Sequence, residues 1–488
     1  VLRQLAELAP GSRVVILAPL DIDDMRERLR VADIPLLDLT VILRTGVTSN
    51  KSELARVAVQ YAESIIVLAT TQDDSEAIKT LVQLASLDDW ANGPPPVTAE
   101  IREETSGDIA QIASGNGAHI VTSTSLISRV IVQTIRNPGL SAVISELGSI
   151  AGNSIAVQFV PNAVGKTVEE ITHHFPAAIP VGISWKKEEN QQETQAVVLN
   201  PEPDFDLAED DRLVFITRER PVSYLPSRFE PSGPMSDSPP QVPRVPERIL
   251  LVGASNLLPD LLAQIETHAV RGTRLTVLEP TPPSEVESQA LAGRRTPFNN
   301  IEIEFAEGDP ASAGAYEALS LSAFDCVVVL ASGETETDPD TQTLRVVLRI
   351  TDLLAGQDHS THLVVEITDE ANRDMFLNLA VQDIVVSTDI VSMSLAQVAQ
   401  EPILGPIYRE LLNAGGVEIS LRALTDYLPV GGNYRFDDLL HAAQKKLEVA
   451  LGVSVAAAGE IDLNPDRDTV RKVSANDRIV VLAQQIYQ

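Results

Sequence analysis

The sequence predicts an α/β fold written twice: two tandem units, each a Rossmann-like doubly wound parallel sheet followed by a small α+β lobe. Three observations carry this. Short apolar runs rich in β-branched residues alternate with helical patterns, as in parallel strands covered on both faces. The alternation recurs at a nearly constant offset. The stretch between the two copies is dense in Pro and Ser and lacks apolar periodicity, as a linker would.

In the first copy RVVILAP (13–19), SIIVLAT (64–70) and HIVTS (119–123) read as buried strands. In the second, RILLVGAS (248–255), RLTVLEP (274–280), DCVVVLAS (325–332), HLVVEIT (362–368) and DIVVST (383–388) do. Arg13 matches Arg274, Gly46 matches Gly308, Ala69 matches Ala331, and Glu100-Ile101 matches Glu366-Ile367. Asn200-Pro201 matches Asn464-Pro465, and Asp211 to Ile216 matches Asp477 to Leu482. All of these lie 261 to 266 residues apart. A tandem duplication explains so steady an offset.

The expected boundaries follow. The first α/β lobe is 1–137 and its small lobe 138–220, where strands IAVQFVP, PVGISW, QAVVLNP and RLVFIT surround the amphipathic KTVEEITHHF. A Pro/Ser-rich linker, extended and semi-rigid, covers 221–246. The second α/β lobe is 247–400 and the second small lobe 401–488. VLRQLAEL at the start aligns with LLAQIETH (261–268), the helix after the strand RILLVGAS. The first lobe's opening strand is therefore expected to lie upstream of Val1, making this sequence a piece of a longer chain.

Length is compatible with about three domains at roughly 150 residues each. Hydrophobic residues are 44% of the chain and aromatic ones 4%, so the cores must be aliphatic. Net charge is −32, which excludes a general nucleic-acid binder because nothing neutralises phosphates in bulk. It also disfavours anionic membrane surfaces. One cysteine, Cys326, excludes a disulfide framework and a Cys-based zinc site. No run of about 18 apolar residues occurs, and the N-terminal stretch has no signal-peptide pattern. No nucleophile–base set, HExxH, P-loop or nucleophile elbow is present, so no enzymatic activity is expected.

Gly253 follows a strand and opens a helix, where a dinucleotide fingerprint would stand. Only its first glycine is there: Ser255 and Leu258 fill the other two places. Glu279, 26 residues after Gly253, lies roughly where a ribose-binding acid would. Gly253, Ser255 and Glu279 are thus a candidate nucleotide site, to be weighed against a structural turn.

The order of these motifs resembles the RCK domain, which regulates conductance in potassium channels and transporters. The likeness is sharpest at Ala306-Glu-Gly-Asp-Pro310 and Asp325-Cys-Val-Val-Val-Leu-Ala331. Two tandem units, RVVILAP followed by RTG and AESIIVLATTQDDSEAIKTL, and the long Pro-rich spacing look more specifically like the CASTOR/POLLUX ion channels. The resemblance implies cytosolic units attached to a transmembrane pore upstream in the full-length chain. It further implies a homotetramer whose eight RCK units form a gating ring at the cytoplasmic face of a membrane. One departure is Val47, where the family often has an acid after the glycine.

Acids gather in loops leaving strand C-terminal ends, which in open α/β sheets line the ligand crevice. The second copy has Asp309, then Glu334, Glu336, Asp338 and Asp340. Loops leaving neighbouring strands lie roughly 5–10 Å apart, so the carboxylates of these two loops are expected to converge. Calcium takes six to eight hard oxygens, and alternating acids place two carboxylates on one side of an extended loop. The resemblance to calcium-gated RCK channels carries a metal site onto Asp309, Glu334 and Glu336. Asp338 belongs to the same candidate set. The first copy offers Asp73, Asp74 and Glu76. For these the plainer reading is helix capping and complementing the helix dipole. Asp21, Asp23 and Asp24 read as caps, and Glu103, Glu104 and Asp108 are a third acidic face. His173 and His174 diverge by about 100° on a helix and cannot chelate one ion together. Cys326 is expected to be a buried, inert thiol.

After each last strand comes an apolar helix, SLISRVIVQTI (125–135) or DIVSMSLAQVAQ (389–400), and then a second helical stretch. Apolar residues on more than one face call for a partner. The resemblance assigns that role to interlocking of neighbouring units; the alternative is the chain's own small lobe. The expectation is a ligand-sensing gating module of a cation channel with calcium as ligand. The second class is a nucleotide-binding regulatory subunit of a potassium uptake system. A Rossmann-type oxidoreductase is the third, disfavoured by the degraded fingerprint.

Overall fold

The computed structural model describes residues 1–69, 73–148, 152–189, 192–227, 229–231, 235–236, 245–253, 255–291, 297–331, 338–357, 359–412, 416–456 and 460–484. In chain order the first α/β lobe holds α1 (Leu2–Leu8), β1 (Arg13–Ala18), α2 (Ile22–Val31), β2 (Thr40–Thr45), α3 (Lys51–Arg56), β3 (Ile65–Val67), α4 (Ser75–Ala85), β4 (Val97–Ile101), α5 (Glu104–Ala113) and β5 (Ala118–Thr122). Helices α6 (Ser123–Arg136) and α7 (Leu140–Gly148) lead to the small lobe: β6 (Ser154–Gln158), α8 (Val168–Ile171), β7 (Ala178–Glu189), β8 (Gln192–Leu199) and β9 (Arg212–Thr217). The second copy repeats the plan. Its α/β lobe has β10 (Arg248–Val252), α9 (Leu258–His268), β11 (Thr273–Glu279), α10 (Pro283–Ala290), β12 (Ile301–Glu307), β13 (Cys326–Val329), α11 (Pro339–Leu354), β14 (His362–Ile367), α12 (Asp374–Leu377) and β15 (Asp383–Val386). Then come α13 (Ser387–Gln400), α14 (Leu404–Leu412), β16 (Val417–Ala423), β17 (Asn433–Tyr434), α15 (Phe436–Gln444), β18 (Glu448–Val455), β19 (Glu460–Leu463), β20 (Arg471–Lys472) and β21 (Arg478–Gln484).

Caps fix several helix starts. Asp21 accepts from Asp23 N at the head of α2, and Asn50 from Ser52 N at the head of α3. Thr167 and Glu170 form a capping box on α8. Each such cap satisfies backbone donors that the first turn leaves open.

Packing divides the chain into two units whose membership crosses the repeat boundary. One contains residues 1–128 together with 387–405, the other 129–386 together with 406–488. In the first unit α13, from the second copy, packs on α1, β3, β4 and β5. Ala396 of α13 shares a buried cluster with Leu5, Ala6 and Leu39. The parallel sheet of this unit comes in two pieces, β1-β2 and β3-β4-β5. No strand among the described residues joins β1 to β3. Val15 on β1 is accordingly 41% exposed.

In the second unit the sheet is whole: six parallel strands in the order β12-β11-β10-β13-β14-β15, the doubly wound arrangement. Strands β13, β14 and β15 are buried at every position. One core joins Leu250, Val252, Val327, Val365 and Ile367 to Val347 and Ile350 of α11. Helix α7, from the first copy, packs on β15, β16, β6 and β19. Asp383 at the start of β15 receives Gly139 N at 2.7 Å and Ser141 N at 3.0 Å, so it caps α7, and it also binds His362 Nε2 at 2.8 Å.

The small lobes are four-stranded antiparallel sheets of matching order, β6-β9-β7-β8 and β16-β21-β18-β19. The described parts of the linker lie against the lobes rather than running free. Tyr224 stacks on His174 with ring centres 4.6 Å apart, Phe229 stacks on His173 at 4.0 Å, and Ser236 N donates to Tyr427 O. Aromatic side chains convert that Pro-rich stretch into a docked strap.

Candidate functional site

The crevice outside the carboxyl ends of β10 to β14 is where an open α/β sheet takes a ligand. Two carboxylates per copy build its walls, all buried but the half-buried Glu100. Glu366 at the end of β14 accepts Ala331 N at 3.0 Å, and Glu100 at the end of β4 accepts Ala69 N at 3.3 Å. Burial pushes the Glu100 carboxyl above its ordinary range, opposed by that backbone hydrogen bond. Asp340 then reaches from α11 to the turn after β14. It accepts Thr368 N at 2.7 Å, Asp369 N at 3.0 Å and Asn372 Nδ2 at 2.7 Å. Its counterpart Asp74 accepts Arg102 N at 2.8 Å and Glu103 N at 3.2 Å. Each copy thus clamps the start of one helix to the turn after the next strand, α4 to the turn after β4 and α11 to the turn after β14. Between the clamps the second copy is four residues longer, since Ala69 and Ala331 are 262 apart but Asp74 and Asp340 are 266 apart. The acids Glu334, Glu336 and Asp338 fall in that longer loop.

The sequence-derived metal candidates sit as follows. Asp309 Oδ1 accepts Ala311 N at 2.9 Å in the turn after β12. Burial and the nearby Asp309 charge push the Tyr316 hydroxyl well up. Gly308 before it is crowded: a Cβ there would lie 2.8 Å from Ala315 Cβ. Asp338 caps α11, accepting Thr341 N at 3.1 Å and its hydroxyl at 3.0 Å. Asp73 accepts Ser75 N at 2.9 Å, while Glu76 accepts from Lys79 at 2.7 Å and Ser49 at 3.0 Å. Glu334 and Glu336 lie outside the described residues. Among the described residues no three His, Cys, Asp or Glu side chains converge as an ion would require. The expectation that the Asp309 turn and the acidic loop leave neighbouring strands is corrected: β11 and β10 stand between β12 and β13. At about 4.8 Å per strand the two loops start roughly 14 Å apart.

Gly253 adopts φ +91 at the turn after β10, a conformation that favours glycine. Its N–H donates to Leu278 O at 3.1 Å. Ser255 Oγ accepts Leu257 N at 3.2 Å, and Glu279 O accepts Gly308 N at 2.9 Å. These contacts knit β10, β11 and β12 at the crevice floor. Cys326 is buried, its thiol pushed up by desolvation, with Sγ 3.9 Å from His362 Nδ1.

Sequence reasoning paired Glu100 with Glu366 but missed their role. Asp74 and Asp340 share the same offset of 266, a signal that was present in the duplication. The His362–Asp383 pair had no such signal, because neither residue has a like residue in the first copy.

No helix among the described residues is long and apolar enough to cross a membrane. The family described as "Castor and Pollux, part of voltage-gated ion channel" matches residues 124–228 and 388–487, the helix pair and small lobe of each copy. The chain is 25% identical to the ion channel CASTOR of Lotus japonicus over 99% of this chain and 61% of that protein. It is 25% identical to the probable ion channel POLLUX of Arabidopsis thaliana, over 97% of this chain and 61% of the relative. It therefore spans about three-fifths of the length of these relatives. Among solved structures the human SLO3 gating ring superposes with a TM-score of 0.69 at 13% identity, covering 99% of this chain and 97% of that one. With the matching family segments falling in both copies and the relatives aligned across nearly the whole sequence, the chain is similar to the CASTOR/POLLUX ion channels and has the fold of tandem RCK-like units.

Proposed function

We propose that this chain is the ligand-sensing regulatory part of a cation channel, without enzymatic activity of its own. It works at the cytoplasmic face of a membrane, where four copies assemble a ring of eight RCK-like units joined to a pore. The observation that carries the reading is the exchanged helix: α13 leaves the second copy's sheet and packs on the first copy's strands. In this reading the helix that one copy lends to the other couples a ligand-driven change in either of them to its partner. Ligand then shifts the balance between two arrangements by its differential affinity for them.

Calcium is the ligand this reading favours, taken by Glu334, Glu336 and Asp338 with Asp309. The support is the −32 charge, the longer acidic loop of the second copy, and its place beside the switch point of the sheet. Isothermal titration with calcium tests it, on the wild type and on a chain with Asp309→Asn, Glu334→Gln and Glu336→Gln. Saturable heat lost in the triple variant supports the site. Equal heats in both remove it. Heat with NADH or ATP but none with calcium would move the ligand to Gly253, Ser255 and Glu279.

A further inference from the structure

The two small lobes belong to one packing unit and are joined by matched hydrogen bonds, Asn200 Nδ2 to Leu447 O and Asn464 Nδ2 to Ala177 O, so features of one side have counterparts on the other. On one side Arg467, in the Asn464-Pro465 loop, is buried. It donates to Ala178 O at 3.0 Å, covers the Phe436 ring at 4.7 Å and lies 3.7 Å from Asp437. Burial lowers its pKa to about 10, so the guanidinium stays charged at neutral pH. The counterpart of Arg467 in the Asn200-Pro201 loop is Pro203. The counterparts of Phe436, Asp437 and Ala178 are Val168, Glu169 and Glu448. On that side the structure has an open cleft lined by Val168, Glu202, Pro203, Gln444 and Glu448 among others.

The cleft holds a buried polar atom without a partner. Gln444 is 9% exposed, its Nε2 donates to Thr172 Oγ1 at 3.1 Å, and its Oε1 has no hydrogen-bond partner. A buried acceptor left unmade is costly, and a donor entering the cleft would recover that cost. Of the two acids in the lining, Glu448 is already bound by the Arg422 guanidinium and the Tyr427 hydroxyl, which leaves Glu202.

We propose that this cleft binds a guanidinium group, the chemistry that Arg467 supplies from within the chain on the opposite side. A planar cation with five fixed donors suits a slot lined by the Gln444 carboxamide oxygen and the Glu202 carboxylate. The group comes either from a free small molecule or from an arginine side chain of a peptide. The site is independent of the crevice reading above, since it shares no residue with it.

Calorimetry on the full chain tests it with three probes: agmatine, an arginine-containing tetrapeptide, and citrulline as the neutral ureido analogue. Saturable heat is expected with agmatine, at least tenfold weaker with citrulline. Heat with the peptide and not with agmatine would assign the guanidinium to a partner's side chain. The deciding variant is Pro203→Arg, which plants a guanidinium where the opposite side already has one. It is expected to melt higher than the wild type and to lose the agmatine heat. Should it not fold, Gln444→Leu carries the test, with a tenfold or greater loss of affinity expected. Unchanged agmatine binding in a folded Pro203→Arg chain, or equal binding of citrulline, overturns the proposal. So does absence of saturable heat with both agmatine and the peptide.

Discussion

Asn200 and Asn464 make the same hydrogen bond in opposite directions across the small-lobe pair: Asn200 Nδ2 donates to Leu447 O and Asn464 Nδ2 to Ala177 O, each at 2.8 Å. Both hold left-handed backbone, at φ 48 and φ 47, which asparagine tolerates better than most residues. Replacing either by Ala removes the bond and adds backbone strain. Asn464, 8% exposed, is the more buried by class, so its loss leaves the Ala177 carbonyl unmet in a drier place. Asn464→Ala is expected to destabilise by about 2–3 kcal/mol and Asn200→Ala by about 1–2 kcal/mol. Asn464→Gly, which relieves the strain alone, should recover part of the loss. Urea denaturation midpoints of the three variants check the ranking.

The clamp carboxylates give a second ranking. Asp340 holds three nitrogen donors where Asp74 holds two. Asp340 is fully buried and Asp74 6% exposed. Asp340→Ala therefore orphans more buried donors, with an expected cost of about 3 kcal/mol or more against about 1–3 kcal/mol for Asp74→Ala. Hydrogen exchange is the sharper measurement: protection should fall at Thr368 and Asp369 in the first variant and at Arg102 and Glu103 in the second. Equal loss throughout the chain in both would mean the clamps act globally rather than on their crevices.

Much of this architecture was legible because buried parallel strands write themselves as unbroken apolar runs. β10, β13, β14 and β15 are covered on both faces and were all readable. β12 was not: Ile301–Glu307 alternates Glu with apolar residues because it is an edge strand with one face open. β2, also at an edge, and β4 were missed as strands, β4 with only five residues and a polar Thr98 and Glu100. At the crevice, the acids were legible as a cluster, but their individual bonds were not. A sequence shows that Asp74 precedes a helix; it does not show that its oxygens turn away from that helix's own N–H groups toward the turn at Arg102. Nor does an offset reveal strand order, which separates the Asp309 turn from the acidic loop.

Glu100 makes stability depend on pH in a specific direction. Burial raises its folded-state pKa above the ordinary 4.5. The folded chain therefore holds a proton there that the unfolded chain has released. Stability from this group falls as pH rises from about 4.5 through the raised value, and the full penalty stands above it. Glu100→Gln keeps an acceptor for Ala69 N–H and removes the charge. Its melting temperature should exceed that of the wild type at pH 7, with the difference shrinking toward pH 4.5. A difference that grows as pH falls would contradict the assignment of burial as the leading cause.

The two small lobes share a bulge, between Pro180 and Gly182 on β7 and between Ala450 and Gly452 on β18. At Gly452 an added Cβ would lie 2.4 Å from Asp462 O and 2.9 Å from Leu463 Cα; at Gly182, 2.6 Å from Val198 O. These neighbours are backbone of the adjacent strand and cannot rotate aside, so β19 or β8 must shift. Overpacking of this kind costs about 1–3 kcal/mol where a core yields. Here the ladder itself is displaced, and Gly452→Ala is expected at or above the top of that range. Gly182→Ala should fall slightly below it. Because Leu463 O also receives Asn153 Nδ2 at 2.8 Å, movement of β19 in Gly452→Ala should loosen the start of β6, whereas Gly182→Ala should leave that bond intact. Amide exchange at Ser154 and Ile155 in the two variants separates the outcomes: raised exchange in both, or in neither, would show that the bulges do not transmit strain by this route.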